Sequence, residues 1–244
     1  MDGTAVQQIA KLREESLELE VDGIKYASPN LEPILFEPHP EGLKLETLQG
    51  LVDLLDEPID KELENREELL IHVVSYKKVR LYGELAGRKR QRDLYAEVNL
   101  SDGFETFPFS RFMVSEEFQI KLRSLLVPTE DQELLLQFTS RLTVTDEVVS
   151  GDDGMTQEVS LRRGMSGALK ESGSFKPIVS LKPYRTFREI DQPESQLLFR
   201  MKAEEGKIPT LALFEADGGK WKIEAVQRVA EYFLERLDGI KVVS

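Results

Sequence analysis

Residues 69–100, LLIHVVSYKKVRLYGELAGRKRQRDLYAEVNL, decide the fold class. Apolar and β-branched residues dominate three runs in this stretch, Leu69–Tyr76, Val79–Leu85 and Leu94–Leu100, so each run is predicted to form a strand. The connections between the runs are too short to hold the crossover helix that parallel neighbours require, which indicates antiparallel pairing. Helical patterns flank this block. The sequence therefore predicts an α+β fold, with largely antiparallel sheets and segregated helices.

Apolar residues at helical spacing predict helices on both sides of this block. They cover residues 4–16, 47–55, 116–126, a segment that begins after Thr129, and about 221–237, the last being a C-terminal amphipathic helix. Thr47, Ser115 and Thr129 are placed to act as N-caps. Gln132 stands three residues after Thr129, which indicates a capping box.

Further strands are indicated by alternation and by turn residues. Asp22-Gly23 joins two alternating runs, a strong hairpin signal, and an edge strand is predicted at Ile34–Phe36 in a proline-rich connector. Later strands are predicted at residues 155–161, 178–184, 197–203 and 209–215. We divide the chain into an N-terminal helix, hairpin and proline-rich arm, residues 1–42, and a single α+β core domain, residues 43–244.

Composition limits the classes of function. The 244 residues include no cysteine, which excludes disulfides, thiolate metal sites and cysteine nucleophiles. The net charge of −13 makes this an acidic protein and opposes non-specific binding to nucleic-acid phosphates. The sequence shows neither a secretory signal nor an apolar run long enough to span a membrane. We therefore expect a cytoplasmic protein without a membrane partner.

Histidine chemistry has few options in this chain. A Ser–His or His–carboxylate catalytic set would need His39, which lies among prolines, or His72, which lies within an apolar strand. Neither histidine belongs to a motif, so we interpret both as structural. The sequence predicts no catalytic residue, although it leaves the question of enzyme activity open.

Acidic clusters are the next candidates for chemistry. Three adjacent pairs could hold magnesium together with a substrate phosphate: Glu116-Glu117, Asp146-Glu147 and Asp152-Asp153. With 45 acidic residues in the chain, such pairs are expected by chance, and helix starts and turns favour acids for other reasons. We therefore predict neither a metal site nor a cofactor. A metal-dependent hydrolase acting on phosphates ranks third among the hypotheses.

Two basic segments could contact an anion or nucleic acid. One is the turn between the last two strands of residues 69–100. The other borders a glycine- and serine-rich loop, residues 163–176. This loop lacks the Gly-Lys-Ser/Thr of a phosphate-binding Walker loop. The candidate contacts are Arg88, Lys89, Arg90, Arg92, Arg162, Arg163 and Lys170. The alternative is that both segments are solvated loops.

Four phenylalanines, Phe104, Phe107, Phe109 and Phe112, occur within nine residues. Exposed aromatic rings stack the bases of single-stranded nucleic acids. Here the cluster leads into a predicted helix, so we interpret these side chains as part of the core.

The block Phe107-Pro108-Phe109-Ser110-Arg111-Phe112 precedes a helix predicted to end near Pro128, and residues 155–184 are predicted to form a strand, a glycine loop and a strand. In these features the chain resembles the YfdQ-like family of phage and prophage proteins. The order of Leu197-Leu198-Phe199-Arg200-Met201, Leu211-Ala212-Leu213-Phe214-Glu215 and a closing helix is also similar. The resemblance covers about residues 43–240. It implies an accessory protein in the host cytoplasm and supplies no catalytic residues.

Three hypotheses follow for function. The first is a non-catalytic phage protein that self-assembles into a homo-oligomer, a ring or a shell, with the proline-rich arm packed on a neighbouring copy. The alternative is a binding module for nucleic acid or a small anionic ligand in phage replication, recombination or counter-defence. The third is the hydrolase named above.

Overall fold

The computed structural model describes residues 3–15, 18–27, 32–33, 39–87, 90–101, 103–140, 146–152, 157–163, 177–202 and 209–244. The chain divides into two compact units. The first comprises Met1–Pro40 and Ala86–Gln91, and the second comprises Glu41–Leu85 and Arg92–Ser244.

The helices are α1 Gly3–Glu15, α2 Leu48–Asp56, α3 Ser115–Ser124, α4 Glu130–Ser140 and α5 Trp221–Leu234. The strands are β1 Glu18–Val21, β2 Ile24–Ala27, β3 Glu32–Pro33, β4 Leu43–Leu45, β5 Leu70–Ser75, β6 Lys78–Ala86, β7 Gln91–Asn99, β8 Met113–Val114, β9 Leu126–Val127, β10 Asp146–Asp152, β11 Gln157–Arg163, β12 Ile178–Pro183, β13 Ser195–Lys202, β14 Thr210–Glu215 and β15 Lys241–Val243. Two short 3-10 helices, Lys61–Leu63 and Arg66–Glu68, lie in the acidic segment before β5.

The first unit contains α1 and the antiparallel sheet β1-β2-β3. Asp22 (φ 53°) and Gly23 (φ 75°) both adopt left-handed backbone geometry, as a two-residue type I′ turn requires. They join β1 to β2 with Val21 opposite Ile24, which confirms the predicted hairpin. The strand predicted at residues 34–36 lies outside the described residues.

The first large sheet has the order β15-β5-β6-β7-β4. Residues that alternate along β5, β6 and β7 are buried against α2 and α5, among them Ile71, Leu81 and Val98. The β5–β6 pair is antiparallel, as predicted, but the two edge strands β15 and β4 run parallel to β5 and β7. The sequence did not predict these edges, because three residues are too few to show a period.

The second large sheet has the order β8-β14-β13-β12-β9, and every pair in it is antiparallel. Its inner face packs on α3 and α4 through large apolar side chains such as Phe118, Leu135 and Phe199. β9 pairs only with the last two residues of β12. Further along β12, the Ser180 N–H donates to Asp131 Oδ2 of α4 at 2.7 Å, so a side chain closes that part of the sheet edge.

Strands β10 and β11 form a separate antiparallel hairpin. The glycine-rich loop predicted after it falls almost entirely outside the described residues. Helices and largely antiparallel sheets together confirm the predicted α+β class.

Two cap predictions need correction. Ser115 is the first residue of α3 rather than its N-cap, and its Oγ donates to the Thr139 carbonyl at 3.2 Å. Thr129 accepts from the Gln132 N–H at 3.2 Å, but the Gln132 side chain donates to the Leu122 carbonyl at 2.6 Å and so does not complete a capping box. Gln132 is buried, so this bond between α4 and α3 satisfies an amide that water could not reach.

Replacing Thr47 by alanine is expected to lower the free energy of unfolding by about 1 kcal/mol. Thr47 is the N-cap of α2, and its Oγ1 accepts the Gly50 N–H at 3.1 Å. Urea denaturation followed by circular dichroism measures the change. Thr47→Ser keeps the acceptor and should stay close to wild type; equal losses for the two variants would contradict the cap.

Candidate binding surfaces

The basic turn lies at the tip of the β6–β7 hairpin, as predicted. Arg88 and Lys89 fall outside the described residues. Arg90 is exposed in left-handed geometry (φ 52°), and its N–H donates to the Gly87 carbonyl at 3.3 Å. Arg92 belongs to β7, where its Nη1 donates to the Gly83 carbonyl at 2.7 Å. That bond ties the Arg92 guanidinium to the hairpin backbone.

The other basic candidates lie at the end of β11. In the hairpin register Arg162 stands opposite Glu147, and Arg163 stands opposite Asp146. Lys170 lies outside the described residues.

The acidic pairs form no metal site in the part of the chain that the structure describes, where no three His, Asp or Glu residues are grouped to hold an ion. Glu116 and Glu117 occupy the first turn of α3, where the helix dipole favours acids. His39 is exposed, and His72 is half-buried in β5.

A buried arginine, which the sequence did not single out, organises a polar cluster after β12. Arg185 follows β12 and is 4% exposed. Its Nη1 donates to Glu215 Oε1 at 2.6 Å, its Nη2 donates to Ser195 Oγ at 2.5 Å, and Ser195 Oγ in turn donates to Asp217 Oδ2 at 2.5 Å. The guanidinium carbon lies 4.0 Å from the centre of the Trp221 ring.

This cluster lies where the two hydrophobic cores of the second unit meet. The next residue, Thr186, donates through Oγ1 to the Tyr76 carbonyl in the turn after β5 at 2.5 Å, and Tyr76 packs edge-on against Trp221. Burial lowers the pKa of Arg185, while Glu215 and Asp217 act to raise it. Ser195 is almost fully buried and hydrogen-bonded on both sides, so the cluster holds the chain together rather than presenting a nucleophile.

A second surface is the face of the second sheet that points away from α3 and α4, here called the outer face. It carries Ile178, Leu198, Arg200, Lys202 and Phe214, together with Phe112 just before β8. Leu198 stands directly opposite both Ile178 and Phe214, which makes an apolar row across three strands. Arg200 and Lys202 follow along β13, opposite Ala212 and Thr210.

Aromatic rings and cations are adjacent on this outer face. The Phe112 and Phe214 rings meet at an angle with their centres 5.9 Å apart, and Lys202 Nζ lies 4.2 Å from the centre of the Phe112 ring. Ile178 is 53% exposed, and both phenylalanines are partly exposed. Phe107 is buried and Phe109 packs against the same core, as predicted, but the interpretation of Phe104 and Phe112 as core residues is wrong.

The first unit presents a third surface, made of the exposed apolar side chains among its described residues. Of the side chains described in Met1–Pro40, only Ile24 is buried, whereas Val6, Leu12 and Val21 are 52%, 60% and 46% exposed. Val6 and Leu12 belong to α1, and Val21 to the hairpin that follows.

No protein-family model, curated protein or solved structure matches the chain. Among the described residues, no helix combines the length and apolar character needed to cross a membrane.

Proposed function

We propose that this chain is a non-catalytic accessory protein of a phage or prophage that assembles into a homo-oligomer, a ring or a shell, in the host cytoplasm. The phage origin and the cytoplasmic location rest on the family resemblance alone. The assembly rests on the first unit, which forms a helix and a sheet but leaves Val6, Leu12 and Val21 largely exposed.

A segment of about 40 residues usually needs disulfides, a metal or association with another surface to hold its structure. Cysteine is absent from the chain, so disulfides cannot serve. Covering Val6, Leu12 and Val21 would remove their exposed apolar area from water, at roughly 25 cal/mol for each Å² buried. A second copy of the chain supplies a cover in closed symmetric assemblies, which are the commonest form of soluble oligomer.

The native mass tests this proposal. We expect light scattering behind a sizing column to give a multiple of the 27.8 kDa chain mass. Replacing Val6 and Leu12 together by glutamate places charge where the apolar contact is needed, and should reduce the mass to that of one chain.

Thr4→Glu with Gln7→Glu is the matched control, because it adds the same charge to exposed positions of the same helix that are neither three nor four residues from Val6 or Leu12. This control should keep the wild-type mass. A wild-type protein that elutes at the mass of one chain would contradict the proposed assembly.

A further inference from the structure

The outer face of the second sheet has a composition unlike that of the chain as a whole. The chain carries a net charge of −13, yet Arg200 and Lys202 follow one another on the same side of β13. Two partly exposed rings, Phe112 and Phe214, lie next to them. Cations beside partly exposed rings suit a ligand that is both anionic and aromatic.

We propose that the outer face binds single-stranded nucleic acid, with bases stacked on Phe112 and Phe214 and the phosphate backbone near Lys202 and Arg200. Stacking needs no particular base, because every base presents a flat π-face to a ring. The Lys202 ammonium lies over the Phe112 ring; a base that stacks on this ring takes that place, and Lys202 then moves to the phosphate beside the base.

The apolar row extends this platform across the sheet. Leu198 and Ile178 continue from Phe214 over the two neighbouring strands, at the spacing of about 4.8 Å that separates paired strands. The row can therefore contact a base or sugar next to the one stacked on Phe214. Only one phenylalanine pair and one short apolar row are available, which fits a short segment of a few nucleotides.

Single strands fit this face better than two other occupants. A duplex keeps its bases stacked inside the helix, where the two rings cannot reach them. A second copy packed face to face would take the Lys202 charge out of water, which costs free energy unless that charge meets an acid on the other copy.

Fluorescence anisotropy with a labelled oligothymidylate or oligouridylate of about 20 nucleotides, longer than most single-strand sites, tests the proposal on the full chain. We expect binding that weakens as the salt concentration rises from about 50 to 200 mM, and an unlabelled duplex that competes poorly. Phe112→Leu and Phe214→Leu should each weaken binding about tenfold, because leucine keeps the apolar packing and removes the flat ring. Lys202→Gln should reduce the salt slope by about 1.

Phe104→Leu is the matched control. Phe104 is also partly exposed and also lies under a cation, with the Arg188 guanidinium carbon 5.4 Å from its ring centre, but it is not on the outer face. Its replacement should leave the affinity unchanged, and thermal melting checks that every variant is folded.

Several outcomes would overturn the proposal. One is no anisotropy change at about 100 µM protein and low salt, the weak end of non-specific nucleic-acid binding. Another is equal affinity for wild type and both outer-face variants. A third is a lower native mass of Phe112→Leu and Phe214→Leu without any loss of nucleic-acid affinity, which would make the face a contact between copies. The α1 variants report on assembly separately, so the two proposals can fail independently.

Discussion

Replacing Arg185 by methionine is expected to lower the free energy of unfolding by about 3 kcal/mol. The loss follows from what the change leaves behind. Glu215 loses the partner 2.6 Å away, and the buried Ser195 Oγ loses its donor at 2.5 Å. Removing one member of a buried pair typically costs about 3–5 kcal/mol, and Glu215 is 41% exposed, so water compensates part of the loss.

Lysine cannot substitute for arginine at this position. The Arg185 guanidinium donates to two different groups while its flat face lies on the Trp221 ring, and an ammonium cannot reproduce this planar geometry. Arg185→Lys should therefore lose roughly half as much stability as Arg185→Met, even though it keeps the charge.

Urea denaturation followed by Trp221 fluorescence measures both changes, since Trp221 is the only tryptophan and lies in the cluster. Arg188→Met is the control, because Arg188 is exposed and only overlies the Phe104 and Tyr184 rings; it should lose less than about 1 kcal/mol. Unfolding followed by circular dichroism should also show a broader transition for Arg185→Met than for wild type, because the cluster joins two cores. An Arg185→Met variant as stable as the control would show that the cluster does not stabilise the fold.

Local signals predicted most of the elements, because the residues that decide them are neighbours in the chain. Asp22-Gly23 predicted a hairpin, and Thr47 predicted the start of α2; the structure confirms both. The Ser115 and Gln132 caps failed for a tertiary reason. Both side chains bond to groups of the other helix in the α3–α4 pair, and sequence spacing does not reveal that partner.

The candidate surfaces depended on contacts between distant segments. Arg185, Ser195, Glu215 and Trp221 belong to four different stretches of sequence, and only the fold brings them together. The outer face left a partial signal in β13, where Leu197 and Phe199 alternate with Leu198 and Arg200. Alternation shows that a strand has two faces. Because Leu197 and Leu198 place an apolar residue on each face of β13, the sequence does not show which face the core covers.

Assembly and ligand binding place different demands on an acidic chain. Net negative charge keeps copies apart, so association needs apolar contact strong enough to overcome that repulsion. Nucleic-acid binding needs a local cationic surface on this negatively charged chain. The first unit carries exposed apolar side chains on α1, and the outer face carries cations on β13. The two proposals therefore rest on different residues.

Glu97→Gln is expected to remove about 2 kcal/mol of stability at neutral pH and almost none near pH 2. Glu97 of β7 accepts from Asn99 Nδ2 at 2.7 Å, from Arg80 Nε at 2.6 Å and from Lys78 Nζ at 3.2 Å. The hydrogen bond from Asn99, then that from Arg80, lower the pKa of Glu97 to about 2, against an opposing effect of burial. The change in the pKa of Glu97 corresponds to roughly 3 kcal/mol of stability. Because the Glu97 side chain is 18% exposed, water screens part of this interaction, and the expected loss is about 2 kcal/mol.

The sign of the pH dependence follows from the lowered pKa. A carboxylate that ionises more readily in the folded chain adds stability above its unfolded pKa of 4.5, and loses that contribution as the pH falls through 4.5 towards about 2. Many other acids titrate in the same range, so the measured quantity is the difference in unfolding free energy between wild type and Glu97→Gln at about pH 7, 4.5 and 2.5.

Glu84→Gln, an exposed position on the neighbouring strand, controls for the loss of one negative charge. We expect the Glu97→Gln difference to shrink with acidity while the Glu84→Gln difference stays small throughout. A Glu97→Gln difference that stays constant across this range would mean that the ion pairs on this face add no net stability to the sheet.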